Sequence, residues 1–96
     1  MTIYRLYTED VNRKDILSVL NARFEGFTVI PTIGSWRGKL ESSLLIELFN
    51  TDKQFVIEAA SKIASMNHQD AVAIIEADAK LDFATGFIVP SNTSAA

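Results

Sequence analysis

The chain of 96 residues has no cysteine and a single histidine. The first absence excludes disulfides, cysteine nucleophiles and thiolate metal sites together, and it fits a reducing compartment. With His68 as the only imidazole, the usual zinc ligand sets are missing, so no metal is expected and His68 reads as an ordinary residue of the polar turn Asn67 to Asp70. Several serines and one turn histidine likewise define no Ser-His-Asp triad. Positive charge is also short. Nine Lys and Arg stand against twelve Asp and Glu, a formal net charge of −3, which argues against a nucleic-acid partner held by phosphate neutralisation. No apolar run approaches the length of a membrane span. The segment Met1 to Asp10 carries Arg5, Glu9 and Asp10 and lacks the apolar stretch of a signal peptide. No membrane partner is expected, and a cytoplasmic location is. Internal repeats, low-complexity stretches and interdomain linkers are absent as well, and Gly34-x-x-x-Gly38-Lys39 falls one residue short of a P-loop spacing.

What the chain does have is the composition of a folded protein, 48% apolar and 22% charged, at a length that accommodates one hydrophobic core. Residues 1–89 are read as one domain and 90–96 as a flexible polar tail. Ile3 to Thr8, aromatic and branched, suits a strand. From Asn12 the apolar residues Ile16, Val19, Leu20 and Phe24 recur at helical spacing, with Asn12 and Asp15 resembling a capping box and Gly26 as the stop. Phe27 to Ile33 is a second strand, which Pro31 places at an edge or a bulge. Gly34 and Gly38 bracket a loop or distorted hairpin. Leu44 to Phe49 is a third strand. Thr51-Asp52-Lys53-Gln54 then opens a second helix as a capping box, with Phe55, Val56, Ala59, Ala60, Ile63 and Ala64 as its apolar stripe. Ala71 to Ala77 is a fourth strand, and Phe83 to Val89 is a candidate short fifth. The order β-α-β-β-α-β predicts an α+β, ferredoxin-like sandwich, with two helices on one face of an antiparallel sheet.

Two strands break the alternation expected of a sheet with one face in water. In the third strand Leu44, Ile46 and Leu48 share one face while Leu45, Glu47 and Phe49 share the other, and Ala71 to Ala77 is apolar on both sides. Something must cover the second face. Self-association is the economical answer, and a folded-back Phe83 to Val89 segment is the alternative.

Chemistry-bearing residues concentrate between Gly34 and Ser43. Trp36 offers a stacking surface, Arg37 and Lys39 offer cations for a phosphate or carboxylate, Glu41 a carboxylate, and Ser35, Ser42 and Ser43 hydroxyls. The same segment also reads as a surface hairpin whose tryptophan packs on a neighbouring subunit. Glu47 and Glu76 lie inside apolar strands. Either they converge on a cleft as an acid/base or cation-binding pair, or each reaches solvent or pairs with Arg5 across strands.

With this element order, doubly apolar strands and a loop between strands two and three, the chain resembles the PII-like group of small trimeric proteins over most of residues 3–89. That resemblance implies open sheet faces packed around a threefold axis and an adenosine-containing small molecule bound between subunits. The chain lacks the long signalling loop and nucleotide motifs of the PII regulators. It also resembles the small S-adenosylmethionine lyases of phages, in which a Gly-x-Tyr-Arg-like turn precedes a glutamate and the third strand. Here Gly34-Ser35-Trp36-Arg37 precede Glu41, and Ala84-Thr85-Gly86 resembles the small-residue turn that closes their fold. The lyase resemblance implies that the substrate's own carboxylate expels methylthioadenosine and leaves homoserine lactone, with no further cofactor. It assigns Glu41 and Glu76 as catalytic carboxylates, and with the loop residues read above the binding set is Trp36, Arg37, Lys39 and Ser42. Trp36 stands where that family has a tyrosine, and the chain is shorter. A sensing or sequestering module, a lyase, and an oligomeric interaction protein without a small ligand all remain open readings.

Overall fold

The computed structural model describes residues 1–82 and Ala84. Apart from Ala84, the expected strand Phe83 to Val89 and the tail 90–96 lie outside the described residues. The elements run β1 (Thr2–Glu9), α1 (Arg13–Arg23), β2 (Thr28–Trp36), β3 (Lys39–Phe49), α2 (Lys53–Met66) and β4 (Ala73–Asp78). They form a four-stranded antiparallel sheet in the order β2-β3-β1-β4. This is the ferredoxin-like α+β arrangement predicted from the element order.

The period of two along each strand explains the core. Tyr4, Leu6 and Thr8 of β1 lie opposite Leu48, Ile46 and Leu44 of β3, and all six are buried under the helices. Ile16 and Leu20 of α1, Phe24 just after it, and Val56, Ala59, Ala60 and Ile63 of α2 close the same core. Thr8 is the one buried polar side chain among the described residues, and Gln69 Nε2 donates to its hydroxyl at 2.8 Å while Gln69 Oε1 accepts the Glu9 N–H at 3.2 Å. No described buried side-chain polar atom is left without a partner. At one end Arg23 ties the helices together, its guanidinium 4.6 Å from the Phe55 ring centre and 3.2 Å from Glu58.

Neither predicted capping box forms. Asn12 caps α1 with φ 55°, and in that left-handed conformation its side chain turns to Asn67 Oδ1 at 2.9 Å instead of the helix N–H groups. The cap of α2 is Asp52 rather than Thr51, without a side-chain bond to the helix, and Gln54 reaches forward to Glu58. Nor does Gly26 stop α1. The helix ends at Arg23 because Phe24 turns extended and packs into the core. The left-handed residue after α2 is His68, with φ 54°, which gives the lone histidine a backbone role.

The segment read as a loop or distorted hairpin is a hairpin, and its strands are longer than expected. β2 continues to Trp36 and β3 starts at Lys39, five residues before the predicted start, so the two strands pair from Thr28↔Glu47 to Trp36↔Lys39. Arg37 (φ 51°) and Gly38 (φ 81°) form the turn. Positive φ at both central residues is the two-residue hairpin geometry whose twist matches that of the strands.

Candidate functional site

The hairpin is longer than the sheet that supports it. β1 accompanies β3 only from Ser43, opposite Glu9, with one more bond from the Asp10 N–H to the Ser42 carbonyl at 3.0 Å. Among the described elements β2 neighbours β3 alone. Ile33 to Ser42 therefore project as an arm.

Alternation sorts the arm into two faces. Trp36, Gly34 and Thr32 of β2 share one with Lys39, Glu41 and Ser43 of β3. This face continues directly into the open side of the sheet. Trp36 is 66% exposed, with the Arg37 guanidinium 5.4 Å from its ring centre. Glu41 lies opposite Gly34, which leaves a strip of bare backbone next to the indole. The Thr32 and Ser43 hydroxyls bond to each other at 2.6 Å.

Trp36, Arg37, Lys39 and Glu41 are thus brought together, as the Gly34 to Ser43 grouping anticipated. Ser42 is not. Its even-numbered position on β3 turns it to the reverse face of the arm with Leu40, opposite Ile33. Glu76 is also apart within one chain. It pairs with Tyr4 at the level of Leu48, two strands across and seven residues along β3 from Glu41, roughly 25 Å away.

Glu76 lies on the helix side, where Tyr4 Oη donates to Glu76 Oε1 at 3.5 Å and Lys53 Nζ sits 3.4 Å from Oε2. Burial, reinforced by the Glu76 carboxylate, holds the Tyr4 phenol above its ordinary pKa. Glu47 follows the alternative considered for it, accepting from Arg5 Nε at 3.0 Å on the open face. Glu47 and Glu76 therefore face opposite sides of the sheet and form no acid/base pair within one chain.

A cleft of about 800 Å³, not anticipated from the sequence, opens at the far end of the sheet, lined by Tyr4, Arg23, Phe24, Phe49, Lys53 and Phe55 among others. None of the candidate site residues lines it. Its walls come from four separate elements, β1, α1, β3 and α2, so no local motif announces it. Among the described residues no group of three or more Asp, Glu, His or Cys stands together, and no helix is long and apolar enough to cross a membrane.

Fold and arm define a small ferredoxin-like protein with a sheet face that no described element covers. The chain matches no family model and no curated protein. Among solved structures it is similar to a DUF3240 family protein from Shewanella baltica OS155, with a TM-score of 0.66 and 11% identity over 88% of this chain and 96% of that one. The likeness is one of fold.

Proposed function

We propose that the protein is a PII-like homo-oligomer, a trimer, that binds an adenosine-type small molecule in clefts between subunits, as a sensor or sequestering module. The observation that carries this reading is the continuity of two surfaces. The wall of Trp36, Arg37, Lys39 and Glu41 runs without a break into an open sheet face on which Tyr7, Ile30, Phe49 and Ile75 are 40%, 43%, 36% and 44% exposed. A single wall cannot enclose a ligand, and a site of this kind needs a second one. A copy packed on the adjoining apolar face supplies it. The face is suited to burial because its central charges, Arg5 and Glu47, neutralise each other. On the wall itself, the indole would stack an adenine, Arg37 and Lys39 would meet a phosphate or carboxylate, and Glu41 an ammonium or sulfonium.

Titration with ATP and with S-adenosylmethionine, followed by Trp36 fluorescence and by release of methylthioadenosine, tests the proposal. Binding without turnover, lost in Trp36→Ala, is the expected result. Turnover abolished by Glu41→Gln would replace the module with the lyase, a reading favoured by Glu41 sharing the face of Trp36. Absence of binding by either compound at millimolar concentration would overturn both in favour of an interaction protein.

A further inference from the structure

The cleft at the far end of the sheet has no part in the function proposed above. The length of β3 separates it from the Trp36 wall, roughly 35 Å, and its volume of about 800 Å³ suits a small organic molecule. The buried Tyr4 and Phe24 form its floor, with the half-buried Phe55 and the exposed Phe49 beside them, and charged side chains stand at the rim. It is built within one chain, from the starts of β1 and α2 and the ends of α1 and β3.

The rim charges are not equivalent. Arg23 reaches Glu58 at 3.2 Å and Lys53 reaches Glu76 at 3.4 Å, and both of those carboxylates stand outside the cleft. Glu25 and Asp52, which do line it, enter no ion pair among the described residues. The remaining residues, Phe83 and 85–96, contain no Lys, Arg or His to supply one. With the outside partners and the Met1 ammonium counted, three positive charges stand against four negative. The rings favour the same sign of ligand. An aromatic face attracts a cation, and the Arg23 guanidinium already lies 4.6 Å from the Phe55 ring centre. An anion gains less, because at the start of α2 it meets the carboxylate of the cap residue, Asp52.

We propose that this cleft binds a small organic cation, an amine or quaternary ammonium carried on an apolar body. The body lies against the aromatic floor and the charged head is held by Glu25 and Asp52. Burial of the apolar part against the rings supplies most of the affinity, and the carboxylates together with the ring faces select for positive charge. The site needs no second copy, so it is independent of the oligomer and of the Trp36 wall.

Benzyltrimethylammonium chloride is the probe, with benzyl alcohol as a neutral comparison and phenylacetate as an anionic one, each titrated into isotope-labelled protein and followed by amide NMR. The cation should shift the amides of residues 24–26 and 50–53, leave those of 34–41 in place, and bind at least about threefold more tightly than either comparison. Glu25→Gln with Asp52→Asn changes two exposed positions, and the amide spectrum itself shows that the variant is folded. It should bind the cation about 2- to 30-fold more weakly, the range for losing two exposed charge contacts, and benzyl alcohol as before. The comparison of the three probes on the unmodified chain stands without the variant. Equal binding of all three, preference for phenylacetate, shifts confined to 34–41, or no shift with the cation at about 50 mM would overturn the site. A folded double variant that keeps the cation's full affinity would overturn it as well.

Discussion

Replacing Arg5 by methionine while leaving Glu47 in place distinguishes a solvated sheet face from a covered one. In the single chain the pair is 3.0 Å apart with 35% and 36% of the two side chains exposed, and breaking such a pair costs about 0.2–1 kcal/mol. Under a second copy the same substitution strands the Glu47 carboxylate without water or partner, at a cost of about 3–5 kcal/mol. The difference, roughly 2–4 kcal/mol per chain, weakens assembly by about 30- to 1000-fold. Adding Glu47→Leu to Arg5→Met removes the stranded charge, so the double variant should assemble as well as the unmodified protein or better. Urea unfolding of the four members of the cycle, repeated across protein concentrations, measures the coupling. A coupling that stays below about 1 kcal/mol at every concentration would refute the covered face.

Three further outcomes follow from single sites. Gly38→Val puts a branched side chain at φ 81° and should cost about 1–2 kcal/mol in urea unfolding, whereas Arg37→Asn, a residue at home in this turn, should be neutral or stabilising. Ile46→Ala, in the fully buried centre of β3, should cost about 2–5 kcal/mol in the same assay. The Arg13 guanidinium, bonded to Asp10 with Nε 3.0 Å from Oδ1, holds the Asp10 carboxyl below its ordinary 3.8. A carboxylate depressed by folding stabilises above its unfolded pKa and loses that contribution as pH falls through the folded value. Asp10→Asn should therefore lower the melting temperature at neutral pH and make no difference in strong acid, and an equal effect at both would contradict the assignment.

The fold was legible because period and order agree. Residues such as Leu44, Ile46 and Leu48, or Val56, Ala59, Ala60 and Ile63, name both the element and the face it buries. The ends of elements were less legible. Asn12 and Thr51 satisfy a capping pattern, but a left-handed backbone and the contact with Asn67 decide the first, and the shift of the cap to Asp52 decides the second. A hairpin was one of the two readings of this segment, but its length was hidden by its glycines. Gly34 sits inside a strand and Gly38 in a two-residue turn, so the two did not bracket one loop. The Arg37-Gly38 pair between Ile33-x-x-Trp36 and Lys39-Leu40 was the available signal for a hairpin. Of the site, the Trp36 to Glu41 cluster is local in sequence and was readable. The positions of Ser42 and Glu76 depend on strand phase and sheet order, which spacing alone does not supply. Exposure of Ile33 and Leu40 depends on where the helices stop, which is a tertiary fact.

The central claim is that the open face is covered by copies of the same chain. Size-exclusion chromatography with light scattering on the unmodified protein, over a range of concentrations, tests it most directly. A trimer gives a mass three times the 10.6 kDa of one chain. A mass of 10.6 kDa at every concentration would contradict it.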